Sequence, residues 1–238
     1  MMISILSQIV EFRNGESGAH VLHINIITEL ILERLIQKTD QYDLSSSVRR
    51  MIVTASALHD IGKIGIPDRI LNKPEKLTDE EYGIMKSHVT KGAEILKSFT
   101  IVDHVEEGAL YHHERYDGKG YPYGLKGNEI DLFSGIVAIA DVYDAMTAAR
   151  CYRGPLCPFR VIEMFEVEGF QKYDVSILLP FLENVVNSCL QNRCLLSDGR
   201  KGTIIYINKD KLSRPVVQCG GEYVNLADQP DLEIVRLL

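Results

Sequence analysis

The sequence predicts a mainly α-helical fold with a small β appendage at its C-terminal end. Two observations predict it: apolar residues recur at helical spacing over residues 1 to about 190, and short β-branched runs separated by turn residues follow. A chain of 238 residues is long enough for one large domain with a small addition. We therefore expect a helical domain over residues 1–192 and a small β-stranded subdomain over residues 193–238.

The first helices are marked by apolar spacing and by capping residues. The run AHVLHINIITELILERLI keeps apolar residues at helical spacing over about five turns. Ser45 is placed to cap a helix through VRRMIVTASALHD. Thr78 and Glu81 form a capping box that opens one helix through EYGIMKSHVTKGAEILKSF. This single helix places His88 near its middle.

The remaining helices and the strands follow in order. The segment VDHVEEGALYHHE predicts a helix that ends at a glycine-rich loop, and LFSGIVAIADVYDAMTAAR is apolar nearly all round, which is typical of a central buried helix. The segments FRVIEMFEVEGF and DVSILLPFLENVVNSCL complete the bundle. Three to five strands are predicted from TIIYINKD, RPVVQC, EYVNLAD and LEIVRLL, which are separated by Asp-Gly, Gly-Gly and Pro.

Composition narrows the classes of function. The net charge of −7 argues against binding to polymeric nucleic acid or an anionic membrane, but a small anionic substrate remains compatible with a metal site. No apolar run reaches the roughly 18 to 20 residues that span a bilayer, and the first residues lack the features of a signal peptide. The five cysteines have no CxxC spacing, which favours free thiols in a reducing compartment and hence a cytoplasmic protein.

Histidines and acids gather at predicted helix ends. His59 and Asp60 end an apolar helix and precede IGKIGIPD, whereas His112 and His113 end another helix as it enters the loop. Neighbouring side chains can face one site where a helix unwinds, and a carboxylate can bridge two ions. Asp141 interrupts a buried apolar run, where a carboxylate is costly unless it is paired or bound to a metal. The pattern favours a two-metal site.

Each histidine taken singly also has a simpler interpretation. A lone histidine on a helix is more often a hydrogen-bonded surface or core residue than a metal ligand. Glu16 and His20 are four residues apart and share one face if this part is helical, but Gly15 and Gly18 weaken the helical prediction. The interpretation as metal ligands therefore rests on the occurrence of these histidines together with other candidate ligands, and not on any single histidine.

Three motifs carry a resemblance to a known family. HDIGKIGIPDRIL, HHERYDGKGYP and IADVYDAMTAARCYR occur in this order, with GESGAH before them and MKSHVTKGAEIL between the first two. Together they resemble the HD-GYP family, the GYP-bearing branch of the HD-domain phosphohydrolases. The resemblance covers residues from about 8 to 185 and leaves the β appendage outside the shared core.

The resemblance implies an HD-domain helical bundle that holds two or three metal ions and hydrolyses cyclic di-GMP. Carried over position by position, Asp60 would bridge two ions and act in catalysis, and Glu16 with His20 would match the ligands of members that hold a third ion. The implied metal ligands are Glu16, His20, His59, Asp60, His88, His112, His113 and Asp141.

Ligand chemistry then predicts the kind of ion and reaction. Imidazole and carboxylate ligands without thiolate suit Fe or Mn, with Ni or Zn as alternatives, whereas Mg²⁺ prefers oxygen ligands. A hydroxide that bridges two such ions is a nucleophile at neutral pH. The expected reaction opens cyclic di-GMP to linear pGpG, and a second step to GMP stays open.

Further residues are candidates for substrate contact. Lys63 is placed to touch a phosphate or the hydroxide and to take part in catalysis, Tyr121 to stack on guanine, and Pro122 to stiffen that loop. Arg150 and Arg153 could reach a second phosphate. Asp144, one turn beyond Asp141, could orient a ligand histidine from the second coordination shell. For each of them the alternative is a solvated, capping or purely structural residue.

Two positions depart from the family pattern, and other functions stay open. His23 stands where members commonly have Arg, and Cys151 replaces the Pro of the usual RPYR. Neither change removes an implied ligand. The alternatives are a module that binds cyclic di-GMP or a protein without turnover, and an HD phosphohydrolase for another cyclic dinucleotide. A homodimer and an upstream sensory or receiver domain in a longer parent protein are also compatible with the sequence.

Overall fold

Helices precede a small antiparallel sheet along the chain, as expected from the sequence. A computed structural model describes residues 10, 12–13, 19–38, 41–42, 44–98, 104–148, 154 and 156–238. The prediction of a mainly α fold with a C-terminal β appendage is confirmed. Among the described helices, none is both long and apolar enough to cross a bilayer.

In the described part of the chain, helices lead up to Ser188 and strands follow from Arg193. The helices are α1 (Ala19–Lys38), α2 (Ser46–Leu58), α3 (Asp68–Leu71), α4 (Asp79–Lys86), α5 (His88–Ser98), α6 (Val105–Tyr111), α7 (Leu132–Thr147), α8 (Pro158–Met164), α9 (Phe170–Lys172) and α10 (Val175–Ser188). A 3₁₀ turn covers Ile61–Gly65, and a π-helical turn covers Phe165–Gly169. The strands are β1 (Arg193–Leu196), β2 (Lys201–Tyr206), β3 (Val216–Cys219), β4 (Glu222–Asn225) and β5 (Ile234–Leu237).

Two compact units divide the chain. The first contains the described residues up to Asp144 together with Lys172–Ile177, and the second contains Ala145–Gln171 and Leu178–Leu238. In the first unit, α1 packs on α2, α2 packs on α6, and α5 packs on both α6 and the 3₁₀ turn. These contacts bring together the helix ends that carry histidines.

Helix α2 ends where the sequence predicted. Ser45 caps its start by accepting a hydrogen bond from the Val48 backbone N–H at 3.5 Å. Leu58 is its last residue, and His59 and Asp60 form the turn that leads into the 3₁₀ segment. The helix buries its apolar face with Ile52, Ala55, Ala57 and Leu58. The buried end of α2 thus places the His59 and Asp60 side chains in the interior of the first unit.

The prediction of one continuous helix around His88 is wrong. The capping box of Thr78 and Glu81 is present, but α4 ends at Lys86 and α5 begins at His88. Ser87 separates them, and its hydroxyl donates to the Ile84 carbonyl at 2.6 Å. Serine side chains compete with the backbone for such carbonyls, which favours a break. His88 therefore starts a helix, instead of lying in the middle of one.

Helix α7 contains a buried run, as its apolar sequence predicts. Its side chains are buried from Ile136 to Ala140 without interruption. Near its start, Ser134 Oγ donates to the Glu107 carbonyl at 3.0 Å. A helix buried on this scale holds its polar residues in fixed positions, because surrounding side chains leave few alternative rotamers.

The second unit contains the sheet. Its strands are all antiparallel in the order β4-β3-β2-β1-β5, which gives five strands within the fully described segment 156–238. The loop before β3 is tied to α8 and the π-helical turn, because Arg214 pairs with Glu163 and Ser213 donates to Glu166. The cysteines at 157, 189, 194 and 219 are free thiols, which confirms that expectation for the described positions.

Candidate metal centre

Five imidazoles meet inside the first unit. His59 comes from the end of α2, His88 from the start of α5, and His112 and His113 from the end of α6, while His20 belongs to α1. Ring centroids lie 4.9 Å apart for His59 and His112, 5.5 Å for His88 and His112, and 5.7 Å for His20 and His59. Residues from four of the quoted sequence segments thus converge, although about 50 residues separate His59 from His112.

The ligand atoms form three overlapping groups. In each group, nitrogen and carboxylate oxygen atoms from three side chains lie within 4.8 Å of one another. The groups are His88, His112 and His113; His20, His59 and Asp141; and His59, Asp60 and His112. The fold therefore brings together every predicted ligand that it describes, whereas Glu16 lies outside the described residues.

Backbone carbonyls fix how three of the rings are oriented. The Nδ1 atom of each ring approaches the carbonyl three residues earlier, at 2.7 Å for His59, 2.8 Å for His88 and 3.0 Å for His112. A carbonyl oxygen only accepts, so each Nδ1 must carry a proton and donate. The Nε2 atoms then face the shared interior, which is the orientation that protein ligands of metals use.

Several of these atoms lack a well-aligned hydrogen bond. His59 Nε2 and Asp60 Oδ1 are buried and make no hydrogen bond within the described part of the chain, although His59 Nε2 lies 3.2 Å from Asp60 Oδ2 and His88 Nε2 lies 3.4 Å from Asp60 Oδ1. The Nε2 atoms of His88 and His112 lie 3.5 Å apart, but both rings donate through Nδ1, so when neutral neither has an Nε2 proton to share. Buried polar atoms without partners are costly. Divalent cations would satisfy them, so these residues fit a metal cluster.

Burial keeps most of these rings neutral, so that each neutral ring has one nitrogen without a proton. It lowers the pKa of His88, places the pKa of His113 at about 4, and takes the pKa of His112 well below its usual range. Burial acts the same way on His59, but the nearby Asp60 and Asp141 carboxylates outweigh it and raise the pKa of His59 to about 9. A cation bound here would take the place of that proton.

Asp60 stays charged in spite of its burial. Burial alone would raise the pKa of its carboxyl group, yet Lys63 and His59 hold that pKa well below its usual range. Lys63 Nζ lies 2.6 Å from Asp60 Oδ2, and His88 Nε2 lies 3.4 Å from Asp60 Oδ1. One carboxylate thus faces an ammonium group on one side and ring nitrogens on the other.

Arg13 holds the 3₁₀ turn that carries Lys63, and sequence reasoning did not anticipate it. Its guanidinium donates to three carbonyls at the end of that turn, including that of Lys63 at 3.2 Å, and pairs with Asp68 at 2.9 Å. These carbonyls end a helical turn and need donors. No local signal marks Arg13, because its partners lie about 50 residues further along the chain.

Asp144 contacts two histidines of α1. Its Oδ2 lies 2.6 Å from His20 Nδ1, and its Oδ1 lies 3.3 Å from His23 Nδ1. The ring of His20 then presents Nε2 at 3.7 Å from Asp141 Oδ1. His23, which stands where the family pattern has Arg, shares the same carboxylate.

The loop after the histidines lies over the cluster. The ring of Tyr121 stacks on His113 with centroids 4.7 Å apart and planes 28° apart. Pro122 follows and is half-buried. A Cβ atom on Gly120 would lie 2.5 Å from the His113 carbonyl oxygen, so only glycine lets the loop pass this close. Arg150, Cys151 and Arg153 lie outside the described residues.

Comparisons with known proteins agree with this geometry. The HD domain family matches residues 5–177. A cyclic di-GMP phosphodiesterase from Thermotoga maritima is 44% identical over 184 residues, which are 76% of this chain and 48% of that protein. A 3′3′-cGAMP-specific phosphodiesterase from Vibrio cholerae is 39% identical over 181 residues, which are 75% of this chain and 33% of that protein. The chain thus spans less than half the length of either relative.

A solved structure shows the same fold. The crystal structure of a cyclic GMP-AMP-specific phosphodiesterase from Vibrio cholerae superposes with a TM-score of 0.58 at 17% identity, over 79% of this chain and 49% of that chain. The family match covers most of the helical region, and the HD and GYP motifs lie at one histidine cluster. The chain therefore belongs to the HD-domain family, and within it to the HD-GYP proteins.

Proposed function

We propose that this chain is a metal-dependent phosphodiesterase that hydrolyses cyclic di-GMP to linear pGpG, with GMP as a further product to be tested. The observation that carries the proposal is the buried cluster in which His59 Nε2 and Asp60 Oδ1 have no hydrogen-bond partner within the described chain. The choice of substrate is supported by the name of the Thermotoga maritima relative.

We assign two ions to the cluster, with a third where α1 meets α7. Asp60 would bridge the two ions, and His20 with Glu16 would hold the third. The proposed ligands of the pair are His59, Asp60, His88, His112, His113 and Asp141. Fe or Mn is the first choice of ion, and Ni or Zn the alternative. When bound, such ions supply a nucleophile at neutral pH and neutralise charge that develops on the phosphate.

The side chains of this protein would bind and orient the substrate. Lys63 Nζ lies at the edge of the cluster beside Asp60, where it would contact a phosphate oxygen. Tyr121 and Pro122 would contact a guanine, and Arg150 with Arg153 a second phosphate. One face of the Tyr121 ring is covered by His113, and Lys86 Nζ lies 5.8 Å from the ring centroid. Stacking on guanine would therefore require the flexible Lys86 side chain to move aside.

Metal removal tests the proposal directly. Protein loaded with Fe, Mn, Ni or Zn is expected to convert cyclic di-GMP to pGpG, because the cluster then has its ions. A chelator should abolish the conversion and reloading should restore it. Chromatography of the products measures this, with untreated protein as the control. Absence of hydrolysis under all four metals would reject the enzyme and leave binding without turnover.

A second candidate substrate is a mixed cyclic dinucleotide. The Vibrio cholerae relative is named for 3′3′-cGAMP, and this chain is 39% identical to it. Both molecules carry a guanine and two bridging phosphates, so the same cluster could act on either. A competition assay across cyclic dinucleotides distinguishes the two candidates.

Other expectations stay predictions. The division into a catalytic domain over residues 1–192 and a β subdomain over residues 193–238 is one of them, although β1 does begin at Arg193. A homodimer, an upstream sensory or receiver domain and a cytoplasmic location are the others.

The Asp144→Asn variant is expected to weaken the proposed third metal site. Its amide is neutral and would no longer support His20 as a strong ligand, since carboxylates behind a ligand histidine raise its basicity. We expect metal affinity at this site to fall about 10- to 100-fold. Metal titration with elemental analysis measures the change, and exposed Asp79→Asn is the control. Unchanged stoichiometry and affinity would contradict the assignment.

A further inference from the structure

Glu114 is a buried acid that directly follows the two ligand histidines. Only 2% of it is exposed. Its Oε1 accepts the backbone N–H groups of Tyr123 at 2.7 Å and Gly124 at 3.1 Å, and its Oε2 accepts that of Leu125 at 3.0 Å. Three consecutive amides of the loop after the histidines therefore converge on one carboxylate.

Such a set of amides forms a strong anion site. Successive backbone N–H groups can enclose an anion when the chain between them reverses its hand, and Gly124 supplies the positive φ of +70°. Hydrogen bonds to a charged acceptor are stronger than neutral ones, and burial excludes competing water. The carboxylate of Glu114 is therefore a fixed anchor for residues 123–125.

The anchor closes a short loop onto the cluster. Tyr121 donates its backbone N–H to the His113 carbonyl at 3.2 Å, and Gly127 donates to the Tyr116 carbonyl at 3.1 Å. The chain thus leaves the histidines, returns to His113 at Tyr121, and closes on itself between Gly127 and Tyr116. This arrangement holds the Tyr121 ring against His113, 4.7 Å away and 28° from parallel.

The hydrogen bonds also argue against a role for Glu114 as a metal ligand. Both of its oxygens are occupied by loop amides, and in the described chain it belongs to none of the groups whose atoms lie close enough to share an ion. We propose that Glu114 is a positioning residue, which acts on substrate binding by holding Tyr121 in place. This inference rests on the proposed function for its kinetic consequence, but its structural consequence stands independently.

The Glu114→Gln variant tests the anchor while keeping the shape of the side chain. The glutamine amide has a single acceptor oxygen, and its NH₂ group would face backbone N–H groups of the loop. The loop should therefore be held less tightly. The chain contains no Trp, so Tyr121→Trp supplies one fluorescent reporter at the loop. We expect acrylamide quenching of this Trp to rise about twofold when Glu114→Gln is added. Glu129→Gln, an exposed acid that accepts one amide of the same loop, is the matched control.

Kinetics with Tyr121 in place provide the second measurement. Glu114→Gln should raise KM for cyclic di-GMP about tenfold with kcat little changed, as expected when a stacking contact is lost from both ground and transition states. Metal stoichiometry should stay at the wild-type value. An equal response from Glu129→Gln, a fall in kcat at constant KM, or loss of metal would each overturn the proposal.

A shorter acid covers the case in which Glu114→Gln fails to fold. Glu114→Asp keeps the charge but lacks one methylene, so it cannot reach all three amides and should show the same changes at reduced size. Wild-type quenching and KM in this variant would reject the proposal. If the wild type hydrolyses no cyclic dinucleotide, the proposed function fails, whereas the quenching measurement still decides whether Glu114 anchors the loop.

Discussion

Replacing Asp60 by asparagine is expected to slow hydrolysis of cyclic di-GMP on the order of 10³-fold, because the proposed bridging charge is lost. The position is central: Oδ2 lies 2.6 Å from Lys63 Nζ and 3.2 Å from His59 Nε2, and Oδ1 lies 3.4 Å from His88 Nε2. Asparagine keeps the size of the side chain, removes the negative charge and turns a donor toward one of these neighbours.

Metal content should fall together with the rate. Two cations close to each other repel, and a shared carboxylate offsets that repulsion. We expect the Asp60→Asn protein to lose about one ion per chain, measured by elemental analysis beside the rate assay. Asp210→Asn, an exposed acid in the β appendage, is the control and should behave as the wild type. Full activity with an unchanged metal ratio in Asp60→Asn would remove Asp60 from the site.

The Gly62→Ala substitution is expected to lower the free energy of unfolding by about 3 kcal/mol, near the upper end of the usual cost of overpacking. A Cβ atom at this position would lie 1.9 Å from the His88 carbonyl oxygen and 2.4 Å from the Gly92 nitrogen. Both are backbone atoms, so a rotamer change cannot relieve the clash. The 3₁₀ turn and α5 would have to separate.

That separation should also disturb the cluster. Gly62 lies between Asp60 and Lys63, and α5 begins with His88, so the groups on the two sides of the contact would move apart. Urea unfolding measures the stability, and metal titration measures the cluster. Unfolding at the wild-type midpoint would show that this close approach is absent in solution.

A second glycine provides the matched control. Gly83 lies inside α4, and a Cβ atom there would meet nothing within 4 Å. Gly83→Ala should therefore stabilise the protein by about 0.5 to 1 kcal/mol, because alanine has the higher helix propensity. Changes of opposite sign in the free energy of unfolding for Gly62→Ala and Gly83→Ala would separate the steric effect from a general response to added methyl groups.

Local sequence signals identified most helix boundaries. Ser45 and the Thr78–Glu81 box both form the caps that their spacing indicates, and the apolar run of α7 is buried. These features are local because capping and burial patterns repeat within one or two turns. The break at Ser87 was not predicted. A serine hydroxyl can bond a carbonyl of the preceding turn both inside a helix and where a helix ends, so the residue type does not distinguish the two cases.

The candidate ligands could be named from the sequence, but their supporting contacts could not. The motifs around His59, His112 and Asp141 are contiguous, and their order identified the family. Arg13 and Glu114 act through partners that no motif specifies: Arg13 reaches carbonyls about 50 residues away, and Glu114 binds backbone amides, which every residue has. A side chain that binds backbone groups requires no particular residue type at the partner positions, so the sequence shows no matching pattern there.

The sequence by itself determined the helical fold with its β appendage and the positions of the candidate ligands for one centre. Only the tertiary structure decided which atoms face that centre: carbonyls at the helix ends turn Nε2 of three histidines inward, and Lys63 meets Asp60. The physical reason is that helix formation depends on neighbours a few residues away, whereas the direction of a ring depends on packing between segments far apart in the chain.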